Sequence, residues 1–113
     1  MSQRHCLTLD LKSDPVLIAE YKRYHENVWP EITQSLRDAG ILDMEIYILG
    51  TRMFMIIETS ESFSFARKAQ LDRNNRKVME WENLMGKFQQ PFSDDARPEA
   101  RWLPMERVFK FTA

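Results

Sequence analysis

The sequence predicts an α+β domain in which a four-stranded antiparallel sheet carries helices on one face. Three observations lead there. Alternating apolar residues mark strands near both ends and in the middle of the chain, and helical periodicity fills the two intervals between them. Only three glycines interrupt 113 residues, so the elements must be long. At this length residues 1–113 form a single domain.

His5 to Leu11 alternates, with Leu7, Leu9 and Leu11 on one face and Thr8 and Asp10 on the other, which describes a half-buried strand. Asp14-Pro15 supplies a capping side chain followed by proline at the first helical position, so a helix starts there and is expected to run to about Asn27. Trp29-Pro30 interrupts it, because the residue before proline is excluded from the α region and proline lacks a donor. Pro30 then opens a second helix with Ile32, Ser35, Leu36 and Ala39 on one face, ending at Gly40.

From Ile41 to Thr59 the alternation returns: Leu42, Met44, Ile46 and Ile48 share one face, and Met53, Met55 and Ile57 another. Gly50-Thr51-Arg52 reads as the hairpin connection between them. Helical stretches follow at about Ser62–Gln70 and Asn75–Phe88. Gln90–Pro104 holds three of the five prolines and is expected to be a surface loop, and Met105–Phe111 is apolar and aromatic enough for a last strand. With each helical pair counted as one layer element, the order is βαββαβ, the ferredoxin-like split. Such a sheet leaves one face bare, so a homodimer is the economical expectation.

Composition narrows the function. Sixteen basic and seventeen acidic side chains leave a net charge of −1, which offers no general attraction for phosphate backbones, so nucleic acid is not an expected partner. The single cysteine, Cys6, cannot close an intrachain disulfide, and two histidines with one cysteine provide no zinc-ligand spacing. No stretch has signal-peptide or membrane-span character, and the expectation is a soluble cytoplasmic protein. Neither a Gly-rich phosphate loop nor a nucleophile elbow occurs. The basic run from Arg67 to Lys77, with Asp72 inside it, reads as a solvated helix face.

Two polar side chains break the helical pattern. At about 100° per residue, His25 falls roughly 40° from Tyr21, among Leu17, Ile18, Tyr24 and Val28 rather than among the charged residues. A histidine steered inward is either a core residue satisfied by a carbonyl or by the Tyr21 hydroxyl, or a general acid/base. Trp29, at the proline break, either caps two helices or turns its ring toward a cleft. In the last helix Val78, Trp81, Met85 and Phe88 form the apolar stripe, and Glu82 falls about 40° from Val78, inside it. That carboxylate needs either a basic partner from the Arg97–Arg101 loop, a dimer contact, or a wet cavity where it accepts from substrate hydroxyls beside the flat face of Trp81.

The stretch Glu20-Tyr21-Lys22-Arg23-Tyr24-His25-Glu26-Asn27-Val28-Trp29-Pro30-Glu31-Ile32 resembles the L-rhamnose mutarotase family, whose members carry Tyr-x-x-x-His-x-x-x-Trp-Pro-Glu after the first strand. The similarity continues at Ile46-Tyr47, at Trp81 and Met85, and from Glu106 to Phe109. The resemblance implies a dimeric, barrel-like α/β assembly and an enzyme that interconverts anomers of a 6-deoxyhexose without a cofactor. It makes His25 the proton donor, Tyr21 a substrate-binding residue and Trp81 part of the sugar site. Two positions depart from the family pattern: Met44 stands where a tyrosine is usual, and Glu82 where a second tryptophan is usual. Both lie on the substrate side, which points to a retained reaction with L-fucose ahead of L-rhamnose as the sugar. Two rival readings are a cofactor-free oxygenase of similar fold and a non-catalytic sugar-binding or dimerisation module.

Overall fold

A computed structural model describes residues 1–93 and 97–113, and 94–96, part of the expected Gln90–Pro104 loop, lie outside the described residues. The chain runs β1 (Ser2–Leu11), α1 (Pro15–Tyr24), α2 (Pro30–Ala39), β2 (Ile41–Leu49), β3 (Arg52–Ser60), α3 (Phe65–Arg73), α4 (Arg76–Gly86), β4 (Gln89–Gln90), a 3₁₀ turn at Pro98–Ala100 and β5 (Leu103–Pro104). The sheet is antiparallel in the order β2-β3-β1-β4, and β5 also pairs with β1. The expected α+β architecture is present, with its fourth strand position divided between two short segments.

Local chemistry accounts for the helix ends. The Asp14 carboxylate accepts from the Val16 and Leu17 amides at 2.9 and 3.3 Å, satisfying donors that the first turn leaves orphaned. Gly40 ends α2 at φ 92°, a left-handed conformation that a Cβ would strain. Ser64 and Asn75 cap α3 and α4 in the same way as Asp14 caps α1. The β2–β3 hairpin closes through Gly50-Thr51 with φ 62° at Gly50 and no positive φ at Thr51, which is the type II′ pattern that matches strand twist. The first helix stops at Tyr24, three residues short of expectation, because the chain must extend before Pro30.

Leu9, Leu11 and Met53 pack against Tyr21, Ile32, Val78, Trp81, Met85 and Phe88, while Leu7 and Ile57 form a second cluster with Ile41, against Leu36, Met44 and Trp102. One residue of the predicted β2 face is displaced. The register slips between Ile41 and Asp43, so Ile41 turns inward at 7% exposure while Leu42 is expelled at 65%. A β-bulge inserts one unpaired residue and flips the alternation at that point. Beyond it Met44, Ile46 and Ile48 hold the expected inward face.

The expected last strand is absent. Met105 still donates to the Cys6 carbonyl at 2.7 Å, but 106–113 leave the sheet edge, with Val108, Phe109 and Phe111 exposed at 94, 77 and 75%. Apolar composition alone does not distinguish a strand buried in its own sheet from one that finds no partner in the same chain. The opposite sheet face carries Cys6, Thr8, Tyr47, Phe54 and Ile56, flanked by the Arg4–Glu58 and Arg52–Asp10 ion pairs. Among the described residues no helix is long and apolar enough to cross a membrane.

Candidate active site

A cavity of about 760 Å³ lies between the helices and the inward sheet face, a size suited to a small-molecule ligand. Of the six residues singled out in the sequence, Tyr21, His25, Met44, Trp81 and Glu82 line it; Trp29 does not. Tyr21, His25 and Ile46 also border a smaller adjoining cavity of about 200 Å³, so Tyr21 and His25 form a wall common to both.

His25 is positioned by the end of its helix. Tyr21 lies in the last turn of α1, where its carbonyl has a second lone pair free beyond the ordinary helix bond. His25 meets it twice, through its backbone N–H at 3.3 Å and through Nδ1 at 2.8 Å. A carbonyl only accepts, so Nδ1 carries the proton and Nε2 is the acceptor of the neutral ring. Nε2 makes no hydrogen bond among the described residues. Burial pushes the imidazole below its ordinary 6.5, with the Tyr21 carbonyl opposing, so the neutral form prevails at pH 7. The carbonyl partner satisfies only one nitrogen and leaves the other available to a ligand.

Aromatic rings fix the imidazole laterally. Tyr21 lies 4.4 Å from it and Trp81 5.6 Å, centroid to centroid, the latter edge-on. The Tyr21 phenol is pushed up to about 12 by burial, against the polar influence of Gln89 and reinforced by the Glu82 carboxylate; it therefore stays protonated and acts as a hydrogen-bonding hydroxyl. Trp29 packs edge-on against Trp81 at 5.1 Å, with the Lys77 ammonium 5.7 Å over its ring. Its ring is turned to the back of Trp81 because α2 begins directly behind it, at Pro30. It supports the wall without forming it.

Among the described residues Glu82 has no ion-pair partner. Arg101, from the loop expected to supply one, donates instead to the Glu82 main-chain carbonyl at 3.0 Å and to Gln89 Oε1 at 3.3 Å. Among the described residues its carboxylate makes neither a hydrogen bond nor a salt bridge. Burial pushes it above the usual carboxylate range; Lys68 and Arg101 pull it down while Asp72 and Glu99 push it further up.

Among the cavity residues outside the sequence candidates, Lys68, Asp72 and Trp102 stand out. Lys68 and Asp72 were placed on a solvated face, yet both line the cavity, joined by an Nζ to Oδ2 bond of 2.6 Å. Their signal was available: Phe65, Lys68, Ala69 and Asp72 recur at the i, i+3, i+4, i+7 spacing of an inward stripe. Trp102 was assigned to a surface loop but is half-buried, lines the cavity and packs on both halves of the core. A tryptophan in an otherwise polar loop was the clue. Among the described residues no three His, Cys, Asp or Glu side chains converge as a metal site would require.

Comparison with known proteins adds a family. The family model described as L-rhamnose mutarotase matches residues 4–111. The L-fucose mutarotase of Xanthomonas campestris pv. campestris is 39% identical over 109 residues, covering 95% of this chain and 86% of that protein. The L-rhamnose mutarotase of Acidiphilium cryptum is 30% identical over 105 residues, 88% of this chain and 90% of its own. The crystal structure of an L-rhamnose mutarotase from Formosa agariphila superimposes with a TM-score of 0.72 at 24% identity, over 97% of this chain and 99% of that one.

Proposed function

The chain belongs to the L-rhamnose mutarotase family, and from that premise we propose that it interconverts the α and β anomers of a 6-deoxyhexose, with L-fucose as the leading substrate and L-rhamnose second. The observation that carries the chemical part is His25: its Nδ1 is held by the Tyr21 carbonyl while Nε2, unpaired, belongs to a cavity wall. Anomer exchange needs a proton taken from the anomeric hydroxyl and one delivered to the ring oxygen. Neutral His25 takes the first at Nε2. The resulting imidazolium is the proton donor to the ring oxygen as the C1–O5 bond breaks, the aldehyde turns about C1–C2, and reclosure reverses both transfers. Acid/base help of this kind contributes typically ~10²–10⁴-fold.

Tyr21, Trp81, Met44 and Glu82 bind the sugar in this reading. Trp81 offers apolar contact to ring C–H groups, Tyr21 a hydroxyl, and Glu82 an acceptor that a tryptophan could not provide. Support for L-fucose comes from the Xanthomonas relative and from Met44 and Glu82. Trp29 acts from behind Trp81. Magnetisation-transfer NMR on equilibrated L-fucose and L-rhamnose, with catalytic amounts of protein, tests the reading. Exchange no faster than in buffer for either sugar would remove both substrates.

We also propose a homodimer. Tyr47, Phe54 and Ile56 on the outer sheet face, together with the exposed apolar tail from Met105 to Phe111, support a second copy as the cover. The single half-buried Cys6 is compatible with a cytoplasmic location.

A further inference from the structure

Helix α3 turns an ion pair toward a largely apolar cavity, and the order of the pair gives the helix less than the reverse order would. Lys68 precedes Asp72, an order that sets the cation toward the helix N-terminus and the anion in the last turn, against the macrodipole. Both side chains are shielded, at 25 and 15% exposure, where a solvated pair would cost less. None of the α3 residues is fully buried, so its inward stripe serves the cavity rather than the core. Glu82 lines the same cavity and, among the described residues, stands unpaired although Lys68 influences it electrostatically. Lys68 commits to Asp72 instead.

We propose that Lys68 and Asp72, together with Glu82, form the polar pole that recognises the substrate's ring hydroxyls and sets the choice between deoxyhexoses. This rests on the mutarotase reading and extends it to two residues on α3. After forming its bond to Asp72, the Lys68 ammonium keeps two donors, and the two carboxylates keep acceptor positions. A sugar hydroxyl both donates and accepts, so it can bridge Lys68 to Glu82 with every partner satisfied. L-Fucose and L-rhamnose differ in configuration at C2 and C4, and a fixed arrangement of two anions around one cation accepts one pattern of hydroxyls at the expense of the other. His25, which acts at O1 and O5 in the proposed reaction, does not itself read that difference.

The test is magnetisation-transfer NMR at varied concentrations of both sugars with wild type, Lys68→Met, Asp72→Asn, Lys68→Arg and the exchanged pair Lys68→Asp/Asp72→Lys, with thermal midpoints recorded in parallel. Hydrogen bonds to charged groups predict that Lys68→Met raises KM for the preferred sugar about tenfold to a hundredfold, with kcat changing far less. Asp72→Asn shifts the fucose-to-rhamnose ratio, and Lys68→Arg folds normally and retains part of the preference. The exchanged pair restores the thermal midpoint but not the preference. Unchanged KM and ratio in both single variants, or recovery of both by the exchanged pair, overturns the proposal and leaves the mutarotase reading standing. Failure of the wild type to accelerate either sugar overturns both.

Discussion

Nδ1 of His25 donates to the carbonyl of Tyr21, one helical turn back, at 2.8 Å. Because that oxygen belongs to the last turn of α1, the bond completes the helix and selects the imidazole tautomer together. The ring is held neutral by burial, with Nε2 as its available atom. The consequence is a defined direction for the dependence of activity on pH.

The rate of anomer exchange should rise with pH on the acid side and reach half its maximum below pH 6.5, since the resting base must be neutral and its pKa lies under the ordinary value. Stability follows the same sign. Below pH 6.5 the unfolded chain takes up this proton more readily than the folded one, so the thermal midpoint falls with acidification. His25→Ala should lower the rate by ~10²–10⁴-fold while the circular dichroism spectrum is retained. A rate that instead declines from pH 5 to 7 would make imidazolium the resting form.

Glu82→Gln should stabilise the protein at pH 7. A carboxyl whose folded pKa is raised contributes a cost that grows as pH climbs from the unfolded value of 4.5 through the folded one. The neutral amide removes it. Differential scanning calorimetry should show a midpoint a few degrees above wild type at pH 7 and no difference at pH 4. The same variant should alter the fucose-to-rhamnose ratio, and the two effects together describe a site residue retained at a cost in stability.

The two tryptophans should separate. Trp81 is buried in the core and lines the cavity, so Trp81→Ala is expected to destabilise by about 3–5 kcal/mol and to raise KM. Trp29 packs on Trp81 and under Lys77 without lining the cavity, and Trp29→Phe keeps an aromatic ring there. Its midpoint should drop while KM stays within about twofold, as expected for a residue that binds no substrate; a larger rise in KM would return Trp29 to the sugar site.

Replacing Val108 by Lys together with Phe109 by Asp should yield a monomer in size-exclusion chromatography with light scattering, against a wild-type dimer. Both side chains project from the tail that leaves the sheet after Met105. A wild-type monomer at micromolar concentration would remove the dimer.

Much of this molecule was legible in the chain because its signals are local. Asp14-Pro15, Pro30, Gly40 and Gly50 mark element ends through their own backbone chemistry. A period near 3.6 placed His25 and Glu82 inward before any contact was known. The motif around His25 identified the family. Where the reading went astray, the deciding contact was distant in sequence. The bulge that exchanged Leu42 for Ile41 depends on β3. Arg101 was near enough to pair with Glu82 but found its main-chain carbonyl instead.

The sequence by itself determined the elements through α4, their order, the inward histidine and carboxylate, and the family, because periodicity, capping and a contiguous motif act within one or two turns. Only the tertiary structure decided which inward face meets core and which meets a cavity. It turned Trp29 away, brought in Trp102, and left 106–113 without a partner strand. It also set the Lys68–Asp72 pair in the same cavity lining as Glu82. The physical reason is that a helix face carries no record of what packs against it; on α3 the same spacing that elsewhere builds core supplies a polar part of the cavity wall.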